Sequence, residues 1–170
     1  MTSYVALLRA VNVGGTGKLP MTELKAMCES AGFLSVRTFI ASGNVVFQSR
    51  KTEDQVKMAL EAALAGYAGK AVGVMVRTAD EMAAVLASNP FPEMPGNCTV
   101  AIFLDKVPAA TALEAVAGQA GEKLALGTRE IYVYYGAGMG TSKLRIPAAK
   151  EGTARNMNTI AKLAEMVGGL

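Results

Sequence analysis

Several polar stretches hold the residues that could do chemistry. The first, Asn12-Val13-Gly14-Gly15-Thr16-Gly17-Lys18, is a glycine-rich break between an apolar run and a helical pattern. Backbone N–H groups in such a turn, beside a helix start and a lysine, suit an anion. It is not a Walker A loop, which needs Gly where Asn12 stands and Ser or Thr where Leu19 stands. The second stretch, Ser42-Gly43-Asn44, offers a hydroxyl and an amide at a turn, although simple turn chemistry explains the same residues.

Two further stretches lie toward the C-terminus. Gly136-x-Gly138-x-Gly140 follows a strand pattern, but its spacing is not the dinucleotide fingerprint and no helix opens after it. What remains is a loop carrying Ser142, Lys143 and Arg145. Gly152-Thr153-Ala154-Arg155-Asn156-Met157-Asn158-Thr159 is the densest polar cluster. With Thr153 as a helix cap, Arg155, Asn158, Thr159 and Lys162 would share the face opposite the apolar one. Arginine offers a fork of donors matched to phosphate or carboxylate, and Asn and Thr add neutral donors. A solvated polar face with Arg155 in an ion pair is the alternative.

Other chemistries are excluded by residue type. The chain has no histidine, which removes Ser-His-Asp and Cys-His nucleophiles, His-ligated metals and a histidine proton shuttle. Cys28 and Cys98 form no CxxC pair, so neither a zinc site nor a thioredoxin-like motif is expected, and Cys28 falls on an apolar helix stripe. No carboxylate set suggests a two-metal centre, and no cofactor is implied. Tyr132 and Tyr134 share one face of a strand, a place where plaits stack single-stranded bases, but the paired aromatics of the ribonucleoprotein motif are absent. Packing is the expected role.

The elements that must position these residues follow from pattern. With 170 residues, 51% of them apolar, the chain is long enough for one domain or two small lobes. The net charge of +3 permits a polyanion partner without demanding one. Locally, Lys143, Arg145, Lys150, Arg155 and Lys162 face only Glu151. No apolar run approaches the roughly 18 residues of a membrane helix and no signal peptide is evident, so a cytoplasmic protein without membrane partners is expected.

Tyr4–Val11 reads as a buried strand, and Pro20 opens a helix that Gly32 closes. Val36–Ala41 and Asn44–Gln48 form a hairpin around Ser42-Gly43. Thr52 with Gln55 caps a second helix, and Val72–Val76 is a strand. This β-α-β-β-α-β order is the ferredoxin-like plait. Thr78 with Glu81 caps a third helix to about Ser88. A proline-rich connector then leads to a looser echo: strand Thr99–Leu104, an Ala-rich helix from Pro108 to about Ala120, strand Glu130–Tyr135, and a last helix from about Thr153 to Val167. The expected fold is α+β, two plait lobes at 1–88 and 99–170 joined by 89–98, each an antiparallel sheet with helices packed on it.

Linked motifs then point to a family. They are Leu7-Leu8-Arg9-Ala10-Val11-Asn12-Val13-Gly14-Gly15, Leu19-Pro20-Met21-x-Glu23-Leu24 and Val36-Arg37-Thr38-Phe39-Ile40-Ala41-Ser42-Gly43-Asn44-Val45-Val46-Phe47, followed by Val76-Arg77-Thr78, Asn89-Pro90-Phe91-Pro92, Glu130-Ile131-Tyr132, Gly140-x-Ser142-Lys143-Leu144 and the Gly152–Thr159 cluster. In that order they resemble a bacterial family catalogued as domain of unknown function 1697. Met157 stands where that family usually has Trp. The resemblance implies two plait-like lobes and no particular activity.

The residues themselves favour a binding protein for a phosphate-bearing ligand, a nucleotide or short RNA. The expected contacts are Asn12, Lys18, Ser42, Asn44, Lys143, Arg155 and Asn158, with Lys143 and Arg155 as charge partners. The alternatives are an enzyme on a small phosphorylated or carboxylated substrate, using lysine or tyrosine as acid or base, and an assembly module with an exposed apolar patch.

Overall fold

The structure is a computed structural model and describes residues 1–12 and 18–170. Contacts divide the chain into two compact units, Met1–Met82 together with Lys162–Leu170, and Ala83–Ala161.

In the first unit β1 (Thr2–Leu8), α1 (Met21–Ser30), β2 (Leu34–Phe39), β3 (Asn44–Ser49), α2 (Glu53–Ala68) and β4 (Val74–Thr78) follow one another, and α3 (Ala79–Ala87) continues from β4. The sheet order is β2-β3-β1-β4, every pair antiparallel, which is the ferredoxin-like order expected of a split βαβ. β1 is the buried central strand that its apolar run predicts: Tyr4 to Leu8 are all buried. One set of alternate residues, Tyr4, Ala6 and Leu8 with Val45, Phe47, Val74 and Val76, forms a core with Leu24 and Cys28 of α1 and Val56, Leu60 and Leu64 of α2. Phe33 stacks on Phe47 at 4.3 Å, and the Tyr4 hydroxyl donates to the Lys51 carbonyl at 2.7 Å.

Local chemistry sets the ends of these elements. Pro20 sits just ahead of α1 as its N-cap rather than inside the first turn, and Gly32 at φ +86° follows its C-cap. Thr52 and Gln55 form the reciprocal capping box at α2. Thr78 and Glu81 do the same at α3, so Thr78 ends β4 and starts a helix at once.

The second unit contains β5 (Thr99–Phe103), β6 (Lys123–Leu126), β7 (Glu130–Tyr134) and β8 (Thr153–Asn156), and α4 (Met157–Gly168) runs on from β8. Its sheet order, β6-β7-β5-β8, repeats that of the first strand for strand. The crossovers differ. Where the first unit has α1 and α2, this unit has irregular chain with 3-10 turns at Ala112–Ala115, Gly136–Thr141 and Pro147–Ala149. These connectors pack Leu113, Leu144 and Ile146 onto Val100, Ile102, Ile131 and Val133.

Three expectations need correction. The Ala-rich stretch 108–120 does not form a helix beyond one 3-10 turn. Its alanines bury little area, so helix propensity is overridden: Ala117 pairs with Arg145 as an isolated β-bridge and Gly118 takes φ +72°. Lys123–Leu126, not anticipated, forms the edge strand β6. The last helix starts at Met157 rather than Thr153, because residues 153–156 pair with Val100–Phe103 and Asn156, not Thr153, caps the helix by accepting the Thr159 N–H at 2.9 Å.

Candidate functional site

The first unit gathers its polar residues where β1 ends. Leu8 N–H bonds the Gly43 carbonyl at 2.8 Å and Arg9 N–H the Gly73 carbonyl at 2.9 Å, so the β1–α1 connection meets the β2–β3 hairpin and the start of β4. Asn12, at φ +55°, is the clasp. Its amide donates to the carbonyls of Leu19 (2.9 Å) and Ala41 (2.7 Å), and its oxygen accepts the Leu19 N–H at 2.6 Å. The glycine-rich stretch 13–17, which suggested an anion cradle, lies outside the described residues.

Ser42 and Asn44 turn inward. Asn44 is fully buried and donates to the Phe39 carbonyl and to Ser42 Oγ, both at 2.9 Å, closing the hairpin loop on itself. Gly43 between them cannot be replaced without strain, since a Cβ would lie 2.6 Å from Val11 Cγ2 and 2.8 Å from Leu8 Cβ at φ +89°.

Beside this clasp is a pocket of about 230 Å³. Val11, Leu19, Leu64 and Val72 give it apolar walls, and Lys18, Lys70 and Tyr67 bring two ammonium groups and a phenol. Lys18 and Lys70 are exposed, and Tyr67 is 48% exposed. Sequence reasoning missed Lys70 and Tyr67. The available signal was Gly69, a left-handed C-cap at φ +70° that turns the chain out of α2 immediately before Lys70.

Lys143, Arg155 and Asn158 belong to the second unit. Arg155 lies on β8 opposite Ala101, is 7% exposed, and donates to Thr153 Oγ1 at 2.7 Å and the Ala154 carbonyl at 2.9 Å. It therefore does not share a helix face with Asn158 and Lys162. Its counterpart in the first unit is Arg77, which is also buried, also next to the cap residue of the following helix, and bonded to its preceding carbonyl at the same 2.9 Å. Asn158 is exposed on α4, its side chain against Gly96, where a Cβ would come within 2.3 Å of Asn158 Oδ1.

Lys143 lines a pocket of about 650 Å³ between the two connectors of the second unit, with Gln119, Glu122, Tyr135 and Ser142. Glu122 accepts from the Ser142 hydroxyl and from the Ala120 N–H at 2.5 Å. Those donors, Ser142 first, hold its carboxyl below the usual carboxylate range.

The displaced ionisations found among the described residues do not make an acid–base pair. Burial pushes the Cys28 thiol and the Tyr132 phenol each up to about 12, and raises Tyr135 as well. Glu122 moves down, and burial draws the Arg155 guanidinium down to about 10. Each of these groups keeps its ordinary charge at neutral pH, so none is tuned to exchange a proton there. Tyr132 is 2% exposed and donates its hydroxyl to the Val85 carbonyl at 2.8 Å, leaving no open ring for a base to stack on. Among the described residues, no three acidic or cysteine side chains gather as a metal site, and no helix is long and apolar enough to cross a membrane.

Fold and site thus define an α+β protein of two four-stranded antiparallel sheets sharing one strand order, with a lysine-lined pocket at the end of the first central strand. The chain belongs to the family described as protein of unknown function (DUF1697), whose model matches residues 1–132. Its structure is similar to that of the conserved bacterial protein SP0830 from Streptococcus pneumoniae, with a TM-score of 0.81 and 24% sequence identity over 98% of each chain. That likeness extends the shared fold through β8 and α4. Comparison with curated proteins finds no match.

Proposed function

We propose that the first unit binds a small phosphate-bearing molecule of nucleotide type in the pocket at the end of β1. The observation that carries this reading is the lining itself: Lys18 and Lys70 beside apolar walls and a half-exposed tyrosine. An ammonium group is a compact partner for phosphate, while Val11, Leu19, Leu64 and Tyr67 suit the flat, weakly polar face of a base or the carbon side of a sugar. At about 230 Å³ the pocket lies below the usual small-molecule range, so it takes one moiety and leaves the remainder over Tyr67. Asn12 acts by holding the loop ends, and Ser42 with Asn44 by holding the hairpin against it.

A nucleotide suits the site better than a stretch of RNA, because a pocket of about 230 Å³ with one half-exposed aromatic ring takes one base or sugar rather than a run of them. Thermal shift with AMP, ADP, glucose 6-phosphate and a short RNA tests the reading. A ligand present at about 100 times its Kd adds about 2.7 kcal/mol to the native state. The expected result is stabilisation by the nucleotides that is reduced in Lys18→Gln and in Lys70→Gln. Flat curves for every phosphate compound, or a stabilisation that both variants retain in full, would overturn it.

A further inference from the structure

The pocket of the second unit presents a different chemistry. Glu122 is 6% exposed and carries its negative charge there, yet among the described residues it forms no ion pair with lysine or arginine. Its hydrogen bonds more than offset the loss of water and keep it ionised, yet they supply no counter-charge. The Ser142 hydroxyl, the Ala120 N–H and its own backbone N–H engage it, while a carboxylate has about four acceptor positions. The group is covered by loop backbone rather than sunk in the core, and it lines a cavity of about 650 Å³, within the range of small-molecule sites.

The walls are built rather than loose. Ala117 and Arg145 exchange backbone bonds of 2.9 and 2.8 Å across the two connectors. Gly118 lies so close to Lys143 that a Cβ would stand 2.1 Å from its carbonyl oxygen. The Ser142–Glu122 bond ties the same two segments again. Ser142 also accepts the Leu144 N–H at 3.2 Å, which fixes its hydroxyl toward the carboxylate. On the same lining Lys143 is exposed and supplies a positive charge.

We infer that this pocket binds a small zwitterion, its ammonium group against Glu122 and its carboxylate or phosphate end toward Lys143. The ligand's ammonium supplies the counter-charge that the chain does not, and Lys143 on the same lining disfavours a simple polyamine by repelling its second ammonium. This site is independent of the Lys18 pocket, which draws on other segments of the chain.

The test is an amide chemical-shift titration of the whole chain with β-alanine and O-phosphoethanolamine as zwitterions and ethanolamine as the amine alone. The expected result is perturbation centred on Gly118–Glu122 and Gly138–Lys143. Glu122→Gln should weaken both zwitterions about tenfold or more. Lys143→Gln, at an exposed position, should weaken the zwitterions and leave ethanolamine bound at least as well. Lys18→Gln should change none of these affinities. Absence of shifts at the lining residues, or zwitterion binding undiminished in Lys143→Gln, overturns the assignment even if Glu122→Gln disturbs the loops by itself.

Discussion

Asn12→Ala is the sharpest probe of the clasp at the end of β1. The substitution removes two bonds to the Leu19 backbone, at 2.9 and 2.6 Å, and one to the Ala41 carbonyl at 2.7 Å. Leu19 is 7% exposed, so its N–H and carbonyl lose partners that water replaces poorly, at a net cost of about 1 kcal/mol each. The Ala41 bond is solvent-exposed and adds about 0.5 kcal/mol. Position 12 has φ +55°, a conformation asparagine tolerates and alanine resists, which adds about 1 kcal/mol. The sum is about 3.5 kcal/mol, or a Tm lowered by roughly 7–14 °C for a chain of this length. Urea unfolding of parent and variant, followed by far-UV circular dichroism, gives the difference directly. A variant within about 0.5 kcal/mol of the parent would refute the reasoning, because it would mean the clasp carries no net stability.

Gly43→Ala should cost at least as much, since the new methyl meets Val11 and Leu8 at under 3 Å; a fold of unchanged Tm would contradict the close approach. A thiol reagent at neutral pH should titrate Cys98 in the native protein and Cys28 only after denaturation, because Cys28 is buried and its thiol is held up to about 12. The same group makes stability pH-dependent at the alkaline end: its contribution is complete below the unfolded thiol value of 9.0 and declines as pH rises toward 12, so Cys28→Ala should remove the part of the decline that begins near 9, while Tyr132 keeps its own decline above 10.0. Glu122 works at the acid end. Its folded value lies below the ordinary one, so its contribution is present above the ordinary carboxylate range and lost as pH falls through the folded value, and Glu122→Gln should flatten that limb of the urea–pH profile. Arg155→Ala should lower the Tm while leaving nucleotide affinity at the Lys18 pocket unchanged, and an equal loss of both would tie Arg155 to binding.

What could be read from sequence was what neighbours in the chain decide. The capping boxes at Thr52 and Thr78 need only residues three apart, and both form. The apolar run at Tyr4–Val11 marked a strand covered on both faces, and its Tyr4–Leu8 part is one. Residues 153–156 were misread because Thr153 and Asn156 are both good caps and a four-residue strand leaves no period to choose between them. Residues 108–120 misled for the converse reason: alanine favours a helix locally, but a partner backbone at Arg145, distant in sequence, claims Ala117. The site residues missed were those brought in from afar. Lys70 and Tyr67 meet Lys18 only through folding of α2 against the sheet, and Glu122 meets Ser142 across 20 positions.

The division of the chain also has a consequence for how it is made. The first unit comprises Met1–Met82 and Lys162–Leu170, so its earliest residues leave the ribosome well before its last ones exist. At ordinary elongation rates the wait is on the order of ten seconds. Throughout it the nascent unit lacks Leu163, Met166 and Val167, apolar side chains that are buried in the finished protein. All four strands of the first sheet are made early, while the unit they belong to still lacks its C-terminal segment. Completion of that unit waits on synthesis of the whole second unit.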